Sequence, residues 1–181
     1  GPLGRREVLM RPESSPFIYA LSQKYTFPEP IVDLGGCETN KQFKDIFRRY
    51  EIWDRRNGYD VDRVIDVTIS LPREVVGYAA SLLCIDTLEH IWDYQIAVKN
   101  IGSIVKQNGL LVIITPFAFP FHDISGDYWR FTHQALERLF ADDFNRVESG
   151  YAGDQFGVTS SIDGHFWGPV DTSAYFIGTR K

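Results

Sequence analysis

The residues of this chain best equipped for chemistry are an aspartate and two glycines within four positions, a later carboxylate, and a histidine set among aspartates and an arginine. In Asp33-Leu34-Gly35-Gly36 the glycines let the chain turn sharply and leave bare backbone for a ligand to approach. Asp54 falls about 20 positions later, where nucleoside and dinucleotide sites place an acceptor for ribose hydroxyls. A carboxylate suits that task because it only accepts and can take both hydroxyls at once. The alternative is that Asp54 merely opens the Asp-Arg-Arg-Asn-Gly turn. Far downstream, His122 has the side chain whose ordinary pKa, about 6.5, fits it to take a proton from an alcohol at neutral pH. Asp123 or Asp127 is expected to orient that imidazole or to act in its place. Arg130 either pairs in bidentate fashion with a phosphate or carboxylate of a substrate or closes a salt bridge to Asp127. Tyr128 and Trp129 offer faces for stacking on a sugar or aromatic ring, or serve as core.

These residues need a scaffold that brings strand ends together. Ile31, Val32 and Leu34 suit a strand buried on both faces and running into the glycine turn. Residues 50–54, 62–67 and 79–86 repeat the pattern, each an apolar run closing on an acidic residue: Asp54, Asp66 and Asp86. Residues 110–115 are apolar throughout and predict a central strand. Between the strands, Ser14-Ser15-Pro16 caps a leading helix with Phe17, Leu21 and Tyr25 at helical spacing, to lie over the sheet or over a ligand. Residues 41–49 allow a short helix around Phe43, Ile46 and Phe47. Asp93 can cap a helix carrying Ala97, Ile101, Ile104 and Val105, with Asn108-Gly109 ending it in the left-handed conformation. Thr132 caps another with Leu136, Leu139 and Phe140 facing inward. The alternation predicts a parallel sheet with helices on both faces, whose ligands bind beyond the carboxyl ends of the strands. Residues 147–151 and 173–179 read as closing strands, and the glycine-rich connection between them, with Asp154, Asp163, His165 and Trp167, has the length of a lid or binding loop.

Composition narrows the class. Hydrophobic residues at 44% and charged residues at 24% describe an ordinary globular domain. A net charge of −5 without a basic run argues against duplex nucleic acid as partner. Cys37 and Cys84 form neither a disulfide framework nor a zinc motif, so the expectation is reduced thiols, a cytoplasmic protein and no metal. The apolar run at 110–121 is broken by Pro116 and Pro120 and is too short for a membrane span. Gly1-Pro2-Leu3-Gly4 matches the remnant of a cleaved expression tag, leaving residues 5–181 as one domain.

Leu88-Glu89-His90 after the fourth strand, Asn108-Gly109-Leu110 before the fifth, and the stretch from Pro116-Phe117 through Asp127-Tyr128-Trp129-Arg130-Phe131 together carry a resemblance. Over residues 15–181 the chain resembles a class I S-adenosylmethionine-dependent methyltransferase, of the small type with Asp-Tyr-Trp-Arg-Phe after the fifth strand. Several such enzymes act in glycan or natural-product pathways. The resemblance implies a Rossmann-like, doubly wound, mostly parallel seven-stranded sheet with an antiparallel last strand and helices on both faces. It puts Asp33, Gly35 and Gly36 at the methionine end of the cofactor, Asp54 on the ribose, Asp66 and Val67 beside the adenine, and Ile85 and Asp86 along the pocket floor. Cys37 and Thr39 stand where the family pattern has its second and third loop glycines, which narrows that loop. His122 and Asp127 are the expected catalytic residues, and Asp123, Tyr128, Trp129, Arg130 and His165 the expected contacts to a small-molecule or glycan acceptor methylated on oxygen. His90 is expected to pin the strand-to-helix junction or pack near the cofactor. An acceptor side completed by a second copy or a partner subunit is a further expectation. Two alternatives stay open: a binding or scaffolding relative without activity, and an NAD-dependent oxidoreductase, although Gly-x-Gly-x-x-Gly is missing after Gly35.

Overall fold

The computed structural model describes residues 14–36, 43–44, 47–58, 60–122, 126–152, 161–162, 165–166 and 173–181. The strands in chain order are β1 (Ile31–Leu34), β2 (Tyr50–Asp54), β3 (Arg63–Val64), β4 (Ala79–Ile85), β5 (Val105–Pro116), β6 (Phe144–Ala152), β7 (Ser161–Ile162), β8 (His165–Phe166) and β9 (Ser173–Arg180). Seven of them form one sheet in the order β3-β2-β1-β4-β5-β9-β6, while β7 and β8 pair as a separate ribbon. The pairs from β3 to β5 are parallel. The last strand of the chain, β9, runs antiparallel between β5 and β6. Strand order reverses between β1 and β4, the place where open α/β sheets leave a crevice for ligands.

The helices are α1 (Ser14–Lys24), α2 (Tyr94–Ile104) and α3 (His133–Phe140). Alternate residues of the buried strands feed two cores. Val32 and Leu34 of β1 with Leu111 and Ile113 of β5 meet Ala97 and Ile101 of α2 and Leu136 and Phe140 of α3 on one face. On the other, Ile31, Ile52, Leu83 and Val112 meet Leu21 of α1, Phe27 and Phe43. Helix α1 therefore lies over the sheet. Its C-terminal end is fastened there by Glu148 of β6, which takes the ammonium of Lys24 at 2.6 Å, the phenol of Tyr25, and Tyr175 Oη of β9 at 3.0 Å. The hydrogen bonds from Lys24 and Tyr25 hold the Glu148 carboxyl below its usual pKa.

Several boundaries differ from the sequence expectation. Strand β3 spans two residues, not 62–67, so Asp66 and Val67 lie in the turn beyond it. Asp62 precedes the strand, donating its N–H to Ile52 O and accepting from Ile52 N on Oδ2, both at 2.8 Å. Helix α2 ends at Ile104, because Val105 pairs with Ala79 and starts β5. Asn108 is left-handed as expected, with φ of 61°, but inside the β5 stretch. Asp93 precedes α2 without a side-chain cap bond. Strand β6 begins at Phe144, ahead of the expected 147; a register shift between Arg146 and Glu148 turns Val147 out to solvent. Of the short helix expected at 41–49, Phe43 and Lys44 form a 3-10 turn, 47–49 are described outside any helix, and Ile46 lies outside the described residues.

Thr132 caps α3 as expected, its Oγ1 accepting from Ala135 N at 3.1 Å. Thr132→Ala is expected to lower stability by about 1 kcal/mol, the usual worth of an N-cap, in a urea unfolding titration. An unchanged midpoint would show that α3 is held by packing alone. No helix among the described residues is long and apolar enough to cross a membrane.

Candidate functional site

Hydrogen bonds tie the carboxyl ends of the parallel strands into one row. Ile65 N after β3 donates to Asp54 O of β2 at 2.8 Å, and Gly35 N after β1 donates to Trp53 O of β2 at 2.7 Å. Thr87 Oγ1 after β4 donates to Leu34 O of β1 at 3.3 Å and Ile85 O at 2.8 Å. Asp86 N closes the row on Ile114 O of β5 at 3.0 Å. Asp33, Gly35, Gly36, Asp54, Asp66, Ile85 and Asp86, expected from separate stretches of sequence, are thereby brought to one edge.

Their environments divide them. Gly35 has φ of 76°, a conformation side chains avoid, and a Cβ there would overlap Thr87 Oγ1. A Cβ on Gly36 would overlap Asp33 Oδ2. The turn thus sits flush on Asp33, a carboxylate that is fully buried and accepts from Tyr50 Oη at 2.7 Å. Asp33 lies beneath the glycine turn, not on its outer surface. Asp54 is half-buried at the rim, steadied by Arg56 N on Oδ1 at 2.7 Å. Asp66 accepts from Thr68 N at 2.8 Å and Oγ1 at 2.6 Å, and these bonds hold its pKa below the ordinary value. The Val67 side chain is core, and its carbonyl takes Asn100 Nδ2 at 2.8 Å. Ile85 is buried, and Asp86 is left-handed with φ of 47°. Cys84, a free thiol under this row, is buried, and that burial pushes its pKa up. Cys37 and Thr39 lie outside the described residues.

The second half of the site forms where the loop after β5 docks on the 3-10 turn Leu88–His90. Glu89 O accepts from Tyr128 N at 2.9 Å and Trp129 N at 3.3 Å, and His90 Nδ1 bonds Gly126 O. His90 therefore pins the loop to the turn; burial pulls its pKa below the ordinary histidine value, against the Gly126 carbonyl, which raises it. Within the loop, Arg130 grips Asp127 with both Nη atoms, Nη2 at 2.7 Å, and also donates to the carbonyls of Trp129, Phe119 and Pro120. Of the two expectations for Arg130, the ion pair within the loop is the one present. Its guanidinium holds the buried Asp127 carboxyl down at about 2.

Asp127 also reaches His122. It accepts from His122 N at 3.0 Å and lies 3.1 Å from His122 Nδ1, which is also 3.2 Å from Pro120 O. Trp129 packs against Trp92 and Tyr94, its Nε1 donating to Ile91 O at 3.0 Å. Tyr128 is half exposed, its ring edge-on to the exposed Trp92 at 5.5 Å. Asp123, Asp154, Asp163 and Trp167 lie outside the described residues, as does the side chain of His165, which starts β8. Sequence reasoning gave no role to Glu89, Thr87 or Tyr50, although Glu89 stands in the Leu88-Glu89-His90 motif, because their bonds join residues from different strands and turns.

No protein-family profile and no curated protein matches the chain significantly. Solved structures match over most of its length. The *Burkholderia thailandensis* 1,6-didemethyltoxoflavin-N1-methyltransferase, with bound 1,6-didemethyltoxoflavin and S-adenosylhomocysteine, shares 17% identity at TM-score 0.64 over 97% of this chain and 79% of that one. A chain of the *Haloferax volcanii* complex between the Trm112 methyltransferase activator and a methyltransferase shares 13% at TM-score 0.62, over 90% and 88%. An S-adenosylmethionine-dependent methyltransferase from *Aquifex aeolicus* shares 9% at TM-score 0.59, over 90% and 88%. The chain therefore has the Rossmann-like fold of these class I methyltransferases.

Proposed function

We propose that this chain is an S-adenosylmethionine-dependent methyltransferase acting on a hydroxyl of a small-molecule or glycan acceptor. The observation that carries the reading is the single row of strand ends at the sheet's switch point, with a glycine turn and acidic side chains on one side and an oriented histidine on the other. The residues fit the cofactor by the chemistry of their donors and acceptors. Carboxylates at Asp54 and Asp66 suit ribose hydroxyls and an exocyclic amine, and the backbone of the Gly35-Gly36 turn suits the carboxylate of the methionine moiety. When bound, the cofactor supplies an electrophilic methyl group on a sulfonium.

The chain's own residues do the rest. Asp33 and Thr87 hold the glycine turn in place from below and from the side. Ile85 and Asp86 form the floor between the cofactor half and the acceptor half. His122, with Nδ1 toward Asp127 and Pro120, presents Nε2 to take the acceptor's proton, and Asp127 positions it. Tyr128 and Trp92, set edge-on to each other and both exposed, give aromatic surface for a sugar or ring.

Calorimetry with S-adenosylmethionine, S-adenosylhomocysteine and NAD tests the reading. Binding of the first two and not NAD is expected; binding of none points to a scaffold, and NAD alone to an oxidoreductase. Asp54→Ala is expected to weaken S-adenosylmethionine binding by about 1–3 kcal/mol through loss of charged hydrogen bonds. Unchanged affinity in the same calorimetric titration would remove Asp54 from the site.

A further inference from the structure

The acceptor half contains a convergence of donors that base catalysis alone does not require. Glu89 has no exposed side-chain surface, and its Oε1 lies 3.7 Å from His90 Nε2 and 3.9 Å from His122 Nε2. Ligand-capable atoms of all three residues fall within 4.8 Å of one another. The far nitrogens of both rings face acceptors: His90 Nδ1 bonds Gly126 O, and His122 Nδ1 faces Pro120 O at 3.2 Å and Asp127 Oδ2 at 3.1 Å. Carbonyls and carboxylates accept and do not donate, so each Nδ1 carries the ring proton and each Nε2, the ring nitrogen nearer Glu89, is left with its lone pair. Metal-binding histidines are fixed in this way, by a carbonyl or carboxylate on the other ring nitrogen.

We propose that Glu89, His90 and His122 bind a divalent transition cation of the zinc type. Two imidazoles and one carboxylate are a donor set of catalytic zinc sites, with three protein ligands and one open position. Bond lengths near 2.0–2.1 Å in a tetrahedron put ligand atoms roughly 3.4 Å apart. The two spacings to Glu89, 3.7 and 3.9 Å, come close to that. The whole set lies within 4.8 Å, so the two imidazoles must close on each other by up to about 1.4 Å on loading. The imidazoles are 20% and 23% exposed while Glu89 is sealed beneath them, so the open position faces the solvent side of the loop. A water or an acceptor oxygen can enter there and have its proton affinity lowered. In the loaded protein His122 acts as ligand, and in the bare protein as base. That use of the cation rests on the methyl-transfer reading; its binding does not.

The test is calorimetric titration of the chelator-stripped protein with Zn²⁺ alone, and separately with Co²⁺ and Mg²⁺. Wild type is expected to bind one equivalent of Zn²⁺ and of Co²⁺, the latter with a visible d–d band, and to bind Mg²⁺ poorly, since imidazole suits the softer ions. His90→Ala and His122→Ala, each checked for folding by circular dichroism, should each weaken Zn²⁺ binding at least 100-fold. Asp127→Asn, which touches no ion, should weaken it about 10- to 100-fold through the orientation of His122. Absence of a stoichiometric Zn²⁺ site, preference for Mg²⁺, or wild-type affinity in both folded histidine variants would overturn the proposal. S-adenosylmethionine titrated into the same samples separates the two readings: zinc without cofactor retains the metal site and removes the methyltransferase, and cofactor without zinc does the reverse.

Discussion

His122→Ala is expected to slow methyl transfer by about 10²–10⁴-fold while leaving S-adenosylmethionine affinity nearly unchanged, the scale on which a positioned base contributes. The expectation rests on where His122 sits. It belongs to the loop that follows β5 and approaches the 3-10 turn after β4, whereas the proposed cofactor residues lie at the ends of β1, β2 and β3. Deleting its ring leaves the row of hydrogen bonds from Ile65 through Gly35 and Thr87 untouched. The ring is also held by more than packing, since a buried carboxylate meets both its backbone N–H and its Nδ1 side. Single-turnover rates against a panel of hydroxylated acceptors, beside calorimetric cofactor affinities, check the split. Near-wild-type turnover would leave positioning of the acceptor as the whole mechanism. A parallel loss of cofactor affinity would mean that the loop and the cofactor half are one unit.

The parts of the site that lie at strand ends were legible because a buried strand advertises itself. Residues 31–34, 50–54 and 79–85 are apolar runs that stop at a glycine or a carboxylate, and the hydrogen-bonded sheet can only stack those stops along one edge. Strand β3 was drawn too long, at 62–67, because its pairing with β2 lasts only two residues while Ile65 and Val67 carry the apolar character on into the turn. The end of α2 was misplaced since Val105 contributes to the same core as Ala97 and Ile101, so its apolar character continues the helical pattern past the point where the backbone turns into β5. The depth of Asp33 was hidden for another reason. Sequence shows a carboxylate before glycines, but only the approach of Tyr50 and the closing of Gly36 over it reveal a buried group.

The proposed acceptor half was legible only as an inventory. The loop's aromatic and charged residues mark it as more than a connection, yet Glu89 and His90 stand more than thirty positions before His122 and share no spacing rule with it. Docking of the loop on the carbonyl of Glu89 creates their proximity. By contrast, Asp127 and Arg130 are three positions apart, and both uses of Arg130 were readable from that spacing; the backbone around it decides between them, since three carbonyls also converge on the guanidinium.

That convergence leads to the largest expected effect on stability. Arg130→Ala should destabilise the protein by about 3 kcal/mol, the lower part of the range for breaking a buried ion pair, because Arg130 itself is 28% exposed. The cost falls mainly on what remains. Asp127 has no exposed side-chain surface, and without the guanidinium it keeps only the bonds around His122 to offset a buried charge. The carbonyls of Phe119, Pro120 and Trp129 lose a donor as well. Adding Asp127→Asn to Arg130→Ala removes the charge that was stranded, so the double variant should be more stable than Arg130→Ala alone, and the cycle of urea midpoints should close with a coupling energy above about 1 kcal/mol. Because Asp127 also steadies His122, the double variant is expected to regain stability without regaining turnover. A loss below about 1 kcal/mol for Arg130→Ala, or strict additivity in the cycle, would show that the pair is not what holds the loop. The orientation of His122 would then have to come from the carbonyl of Pro120 and the edge of Phe119, whose ring centroid lies 5.3 Å from the imidazole.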